Sequence, residues 1–253
     1  MTKGLGDLEA DEPLSRRERD QRRRELDIVS AARRLILEEG LVTFSMERLA
    51  EATGYSRGAL YYYFPCKEEV VAALAVESFA RRVQLYRMIP SFDGRPRERM
   101  VAMSEVSVIL YPELTAFELL AFMNTFRDRT SQSRRRRLQA LEMAGYRLGA
   151  KIVRDAVACG DVELPATMTP EEFLFGLAMQ VNGIYGVRFV SGPELAKKMK
   201  FDNVAVTARH FGGRLLDGFG WRPLSDEWDY RETMRRIYRE LFTPVVIDRI
   251  KRY

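Results

Sequence analysis

Apolar residues recur every three or four positions along most of this chain, and this spacing predicts a succession of α-helices. In the first helix Leu26, Val29 and Ile36 share one face, and Gly40 supplies the residue that ends it. Further helices are predicted over residues 67–88, 96–110, from 112 onward, 131–159, 170–190, 203–216 and 226–252, the last with a break at Pro244. No segment reads as a β-hairpin or a repeat, so the pattern predicts an all-α fold.

Capping residues support two of these boundaries. Ser15 and Glu18 fit a capping box at the start of the first helix. Thr169, Pro170 and Glu172 combine an N-cap, a proline in the first turn and a capping glutamate. The residues before Ser15 are polar and acidic, so residues 1–14 are predicted to form a disordered acidic tail.

The arginine block that follows this tail allows two interpretations. Residues 13–24 hold six arginines and two acidic residues. Such a run is either a solvated helix face or an arm that contacts phosphates. The residues alone leave both interpretations open.

Residues 43–67 have the spacing of a helix-turn-helix. Ser45 is a suitable N-cap for a short helix, in which the small Ala50 allows a second helix to cross closely. Gly54 permits the positive φ of a tight turn, and Ser56 caps the second helix.

The second helix of this motif presents a face suited to DNA. Leu60 points into the core, which leaves Arg57, Gly58, Tyr61 and Tyr62 nearer solvent. Arginine bridges guanine O6 and N7 in the major groove, and tyrosine hydroxyls reach phosphates. Core packing is the alternative role for the tyrosines, but two adjacent residues of a helix cannot both face inward.

Over about residues 22–75 the chain resembles the TetR/AcrR family of bacterial one-component regulators. The residues that carry the resemblance are Ile28, Ala31, Ala32, Gly40, Ala50, Gly54, Ser56, Gly58, Leu60, Tyr61, Tyr62, Phe64, Pro65 and Lys67. It implies a three-helix DNA-binding domain at residues 15–66 and a larger helical effector-binding and dimerisation domain at 67–253. It also implies DNA contacts by Thr43, Ser45, Arg48, Tyr55, Ser56, Arg57, Gly58, Tyr61, Tyr62 and Lys67.

Three residues depart from the family pattern. Cys66 stands where Ser, Asn or Gly is usual, which weakens the cap of the fourth helix. Tyr63 stands where His is common, and Tyr55 replaces a small aliphatic residue at the head of the second helix of the motif. We interpret Cys66 as a small half-buried residue rather than a redox sensor, because a sensor needs exposure and a low pKa.

Methionine, phenylalanine and tyrosine are frequent on the helices after residue 67. A large helical core explains such residues, and the resemblance implies that some of them also enclose an effector cavity. The candidate ligand-binding residues are Met103, Phe122, Met123, Phe126, Tyr146, Phe175, Met179 and Asn182.

The helices predicted over 170–190 and 203–216 each have an apolar face. The resemblance implies that these helices form a dimer interface, with Phe173, Leu177, Ile184, Ala208, Phe211 and Leu215 as candidates. A homodimer is also expected because one short recognition helix reads only a few base pairs.

Composition limits the remaining function classes. The chain has 253 residues, of which 46% are hydrophobic, and a net charge of +5; at this size a core forms without disulfides or metal. No run approaches about 18 apolar residues, so no membrane span is expected, and two cysteines fit a reducing cytoplasm. The DNA binding that the resemblance implies makes a nucleoid-associated location the expectation. With His210 as the single histidine, we expect no metal site, no cofactor and no enzyme activity.

We therefore predict a TetR-type repressor that binds a palindromic double-stranded DNA operator as a dimer. An apolar small molecule releases it, because the ligand favours a state in which the helix beginning at Lys67 has swung. One alternative is a transcriptional activator or a ligand-independent DNA-binding protein of the same fold. A more remote alternative is an enzyme with a DNA-binding head.

Overall fold

The fold was analysed in a computed structural model that describes residues 15–41, 43–110, 128–198, 200 and 203–252. These residues form ten α-helices, and no β-strand is found among them, which confirms the all-α prediction. The chain divides between Val70 and Val71 into two compact units. The predicted acidic tail at 1–14 and the helix predicted from residue 112 lie outside the described residues.

The first unit is built on three helices and the start of a fourth. They are α1 (Arg16–Glu39), α2 (Met46–Thr53), α3 (Arg57–Tyr63) and α4 (Lys67–Tyr86). Gly40 ends α1 with a φ of 87°. The side chains that fill the core of this unit are fully or almost fully buried, and they include Ile28, Ala32, Ile36, Leu49, Leu60 and Phe64.

The second unit contains most of α4 and six further helices. A 3-10 turn at Ile89–Ser91 precedes α5 (Pro96–Leu110), α6 (Gln132–Ala158), α7 (Pro170–Lys198), α8 (Val204–Gly218), α9 (Tyr230–Glu240) and α10 (Pro244–Arg252). The predicted cap at Thr169 is confirmed, since its hydroxyl accepts from the Glu172 N–H at 3.1 Å, and Ser131 caps α6 by accepting from the Arg134 N–H at 3.5 Å. The side chain of Glu18, in the other predicted capping box, lies outside the described residues.

Three predicted helix ends are wrong. Helix α4 ends at Tyr86 rather than at 88, because Pro90 opens the 3-10 turn. Helix α7 continues past Gly192 and Pro193 to Lys198, so neither residue ends it. The final segment forms two helices, which confirms the predicted break at Pro244, but α9 begins at Tyr230 rather than at 226, because Asp229 caps it there.

Two buried polar networks tie the helices of the second unit together. Arg97 is 1% exposed and donates to Asp217 Oδ1 at 2.7 Å and to the carbonyl of Trp221. Glu105 is fully buried and accepts from Arg209 Nε and Nη2 at 2.7 and 2.6 Å. Because the partners lie on α5, α8 and the segment after α8, these bonds fix the distances between elements far apart in sequence.

Side chains from two helices close over a glycine on α6. A Cβ atom added at Gly149 would lie 2.7 Å from Leu174 Cδ2 and 2.7 Å from Met103 Cε. A larger residue at this position would therefore force the side chains that α5 and α7 pack there to shift. Among the described helices, none is long and apolar enough to cross a membrane.

Candidate nucleic-acid interface and cavity

Local capping sets the geometry of the helix-turn-helix. The Ser45 hydroxyl accepts from the Arg48 N–H at 3.2 Å, and the Ser56 hydroxyl accepts from the Ala59 N–H at 3.2 Å. Gly54 ends α2 in the left-handed conformation, with a φ of 70°. The predicted starts of α2 and α3 and the turn between them are confirmed.

Helix α3 has one buried side and one open side. Leu60 is fully buried, whereas Tyr61 is 43% and Tyr62 70% exposed. Arg57 and Gly58 are exposed on the same side, and a Cβ added at Gly58 would meet no atom within 4 Å. The sequence predicted that Tyr61 and Tyr62 cannot both face the core, and both lie outside it. The open side of α3 is about as long as the helix end that a helix-turn-helix inserts into the major groove.

The other candidate DNA-contacting residues around this face differ in their exposure and in their bonds to neighbouring groups. Tyr55 and Lys67 are half-buried, and Thr43 is exposed, with its hydroxyl donating to the Glu39 carbonyl at 2.7 Å. Arg48 forms an ion pair with the Glu39 carboxylate at 2.7 Å. A phosphate that recruits Arg48 would therefore compete with an acidic partner, which distinguishes Arg48 from the other candidates.

Electrostatic interactions link α3 to α2 through Glu47 and to α1 through Arg24. The backbone N–H of Glu47, the Ser45 hydroxyl and, more weakly, the charge of Arg57 lower the pKa of the Glu47 carboxyl. On the other side, the interaction of the Arg24 guanidinium with the Tyr63 hydroxyl raises the pKa of Arg24. Sequence reasoning did not anticipate this interaction between α1 and α3, because Arg24 and Tyr63 are far apart along the chain.

Cys66 follows Pro65 at the start of α4. It is half-buried, and burial raises the pKa of its thiol. A raised pKa lowers the fraction of reactive thiolate at neutral pH. This environment supports the interpretation of Cys66 as a small packing residue.

A cavity of about 800 Å³ lies within the second unit. Five of the candidate ligand-binding residues line it: Met103, Tyr146, Phe175, Met179 and Asn182. The other three, Phe122, Met123 and Phe126, lie outside the described residues. The rings of Tyr146 and Phe175 are 6.2 Å apart, so they form one aromatic part of the wall. The size and the largely apolar wall are those of a small-molecule site.

Arginines form part of the same wall, and sequence reasoning missed them. Arg82, Arg97 and Arg209 all line the cavity, and Arg82 donates to the Ser107 hydroxyl at 2.9 Å. One signal was present in the sequence, since Arg82 falls on the helix face that also carries Phe79, three residues earlier. An arginine on an apolar face is a candidate buried cation, but the pattern does not reveal its partner.

The candidate dimer residues do not share one environment. Phe173 and Ala208 are 4% and 2% exposed, and the Phe173 ring packs against Phe219 at 4.9 Å and Trp221 at 5.3 Å. The chain itself already covers both side chains, and a role for Phe173 and Ala208 in an interface stays a prediction. Phe211 is 59% exposed, and the remaining candidates, Leu177, Ile184 and Leu215, are half-buried.

In the part of the chain that the structure describes, no group of three or more His, Cys, Asp or Glu side chains is arranged to hold a metal ion. His210 is exposed on α8 and lines the cavity. The chemistry of the described residues is thus that of a binding face on one unit and a cavity in the other.

Known bacterial regulators are similar to the first unit in sequence. Residues 28–74 match the family described as bacterial regulatory proteins, tetR family. Over 58 residues the chain is 43% identical to the HTH-type transcriptional repressor AcnR of Corynebacterium efficiens. The aligned region covers 23% of this chain and 31% of that repressor. AcnR of Corynebacterium diphtheriae is 39% identical over 72 residues, covering 28% and 37%. The match spans about a third of the length of these curated relatives.

Solved structures resemble the chain over a larger part of its length. The TetR family regulator PfmR from Thermus thermophilus has a TM-score of 0.54 at 21% identity, covering 73% of this chain and 94% of that one. FadR from the same organism, in complex with lauroyl-CoA, has a TM-score of 0.51 at 20% identity, covering 76% and 92%. A regulator from Saccharomonospora viridis, in complex with choline, has a TM-score of 0.55 at 19% identity, covering 78% and 96%. At these identities the likeness is one of fold.

Proposed function

We propose that this chain, which belongs to the TetR/AcrR family of transcriptional regulators, is a repressor that binds a palindromic operator as a homodimer and leaves it when an apolar small molecule binds. One observation carries the DNA-binding part: α3 turns Arg57, Gly58, Tyr61 and Tyr62 outward on a short, capped helix. This arrangement supports base contacts by Arg57 and phosphate contacts by Tyr62.

Dimerisation is proposed from the size of α3 and from the surface of α7 and α8. A recognition helix of seven residues reaches a few base pairs, so useful specificity needs two half-sites. Val206 and Phe211 on α8 are 54% and 59% exposed. On α7, a Cβ added at Gly176 or Gly183 would meet nothing within 4 Å. Exposed apolar side chains beside such glycines suit a close helix–helix interface between two copies of the chain.

Effector binding is proposed from the cavity of the second unit. Its volume of about 800 Å³ suits a small organic molecule, and Met103, Tyr146 and Phe175 provide apolar contacts. Helix α4 links the two functions along the chain, since it begins at Lys67 and contributes Phe79 and Val83 to the cavity wall. A ligand that binds one position of α4 more tightly than another changes operator affinity by that difference.

The DNA-binding proposal is tested on a duplex that the wild-type chain selects from a random double-stranded library. Arg57→Ala should reduce the preference for this duplex over random DNA by about 5- to 150-fold, the equivalent of one lost base contact. Tyr62→Phe and Lys67→Ala should weaken binding to both DNAs by similar factors, because phosphate contacts carry no sequence information. Arg147→Ala, at an exposed position of α6, serves as the control. Equal losses on both DNAs for Arg57→Ala would refute its assignment.

The effector proposal is tested with 1-anilinonaphthalene-8-sulfonate, an apolar anionic probe, and with choline as a polar cation. The probe should raise the melting temperature of the second unit and weaken operator binding, and choline should do neither, because its permanent charge would be buried against a largely apolar wall. An operator affinity that stays constant while the probe binds would favour the ligand-independent alternative. Turnover of a substrate that survives Arg57→Ala would favour an enzyme.

A further inference from the structure

Helix α1 extends well beyond the part of it that packs in the core of the first unit. Its first buried apolar residue is Ile28, and the preceding residues 16–27 form a helical segment that we name the α1 extension. At about 1.5 Å per residue, twelve residues give an extension of roughly 18 Å. Arg16, Arg17, Arg19 and residues 20–24 are exposed, so the extension is a solvent-facing helix.

The charge of the α1 extension is unsuited to a free helix. Residues 16–24 contain six arginines and two acidic residues. Cations near a helix N-terminus oppose the macrodipole, and like charges three or four residues apart, such as Arg19 with Arg22 and with Arg23, repel each other. An anion bound along the extension would relieve both effects.

One face of the extension points toward the DNA-reading helix. Arg17, Arg24, Ile28 and Ala31 are spaced at i, i+7, i+11 and i+14, so they lie within about 60° of one another around the helix. Ile28 and Ala31 are buried in the core of the first unit, and the Arg24 guanidinium interacts with the Tyr63 hydroxyl of α3, which raises the pKa of Arg24. The part of this stripe that packs against the core is therefore apolar, and the part that extends beyond the core is cationic. Arg17 and Arg24 form what we name the inner face.

We propose that the inner face binds phosphates of the operator duplex that flank those reached by α3. This inference rests on the proposed DNA-binding function. Tyr63 lies next to Tyr62, the most exposed tyrosine of α3, so the inner face continues the same binding surface. Arginine and the phosphate backbone are complementary in charge, and the contact adds affinity without base preference.

The opposite face of the extension supplies a matched control. Arg19 and Arg22 lie about 160° and 140° from Arg17 around the helix, and replacing either pair by glutamine removes two positive charges. The dissociation constant on the selected duplex is measured at about 50, 100 and 200 mM salt for the wild-type chain, for Arg17→Gln/Arg24→Gln and for Arg19→Gln/Arg22→Gln.

Two lost phosphate contacts should reduce the slope of log affinity against log salt by about 1.8. Between 50 and 200 mM salt, the inner-face variant should then lose about 12-fold less affinity than the wild-type chain. The variant of the opposite face should keep the wild-type slope. The preference for the selected duplex over random DNA should stay the same in both.

A third variant separates the phosphate contact from the position of α3. Tyr63→Phe removes the hydroxyl that interacts with Arg24 without a change of charge, so its salt slope should equal that of the wild-type chain, whereas Arg17→Gln alone should reduce the slope by about 0.9. Equal slopes for the two double variants, or a wild-type slope for the inner-face variant, would overturn the inference while the proposed function stands. A wild-type chain without preference for any selected duplex would overturn both.

Discussion

Replacing Glu105 with glutamine changes a carboxylate that the second unit buries completely. The carboxylate accepts from Arg209 Nε at 2.7 Å, from Arg209 Nη2 at 2.6 Å and from the Tyr238 hydroxyl at 3.0 Å. These bonds raise the pKa of Arg209, and burial together with the Glu105 charge raises the pKa of Tyr238. The side chain therefore joins α5 to α8 and α9.

The expected loss of stability follows from the hydrogen bonds that glutamine cannot make in place of Glu105. Its single carbonyl oxygen replaces one carboxylate oxygen, and its amide group places N–H donors against the N–H donors of Arg209. A hydrogen bond to a charged group contributes about 1.5–3 kcal/mol, and breaking a buried pair costs about 3–5 kcal/mol. We expect Glu105→Gln to lower the free energy of unfolding of this unit by about 3 kcal/mol, or about 6–12 °C in melting temperature for a unit of this size.

Tryptophan fluorescence isolates this unit, because both tryptophans of the chain, Trp221 and Trp228, lie in it. Asp155→Asn is the matched control: Asp155 pairs with Lys151 at 2.7 Å, but the two side chains are 38% and 62% exposed. This variant should lose less than about 0.5 kcal/mol. Equal losses for the two variants at the same protein concentration would refute the argument that burial sets the strength of the Glu105 pair.

Further expected outcomes concern packing, pH and thiol reactivity. Gly149→Ala should destabilise the second unit by about 1–3 kcal/mol through overpacking, whereas Gly218→Ala, which meets open space at the end of α8, should stabilise it by up to about 0.5–1 kcal/mol; urea unfolding compares them. Burial opposes ionisation of Asp217, but bonds from serine and arginine outweigh it and lower its pKa. This stabilisation is present above about pH 4 and is lost as pH falls through the folded pKa, so Asp217→Asn should flatten acid unfolding. With Ellman's reagent at about pH 7.5, exposed Cys159 should react at least about tenfold faster than Cys66.

The helix-turn-helix could be predicted from sequence because its determinants are local. Ser45 and Ser56 cap helices through N–H groups three residues away, and Gly54 provides the positive φ of the turn. Leu60 is buried because helical periodicity places it on the inner side of α3. Each of these features depends on a few neighbouring residues, so a single sequence contains the information.

The cavity and its charged wall were decided by the tertiary structure. Periodicity divides a helix into an apolar and a polar face, but it does not say what covers the apolar face. Phe173 was expected at an interface, and it packs against Trp221, 48 residues away along the chain. Glu105 and Arg209 are 104 residues apart, and only the packing of α5 against α8 brings them together. Local sequence therefore determined the DNA-reading motif, whereas long-range packing determined which side chains surround the cavity.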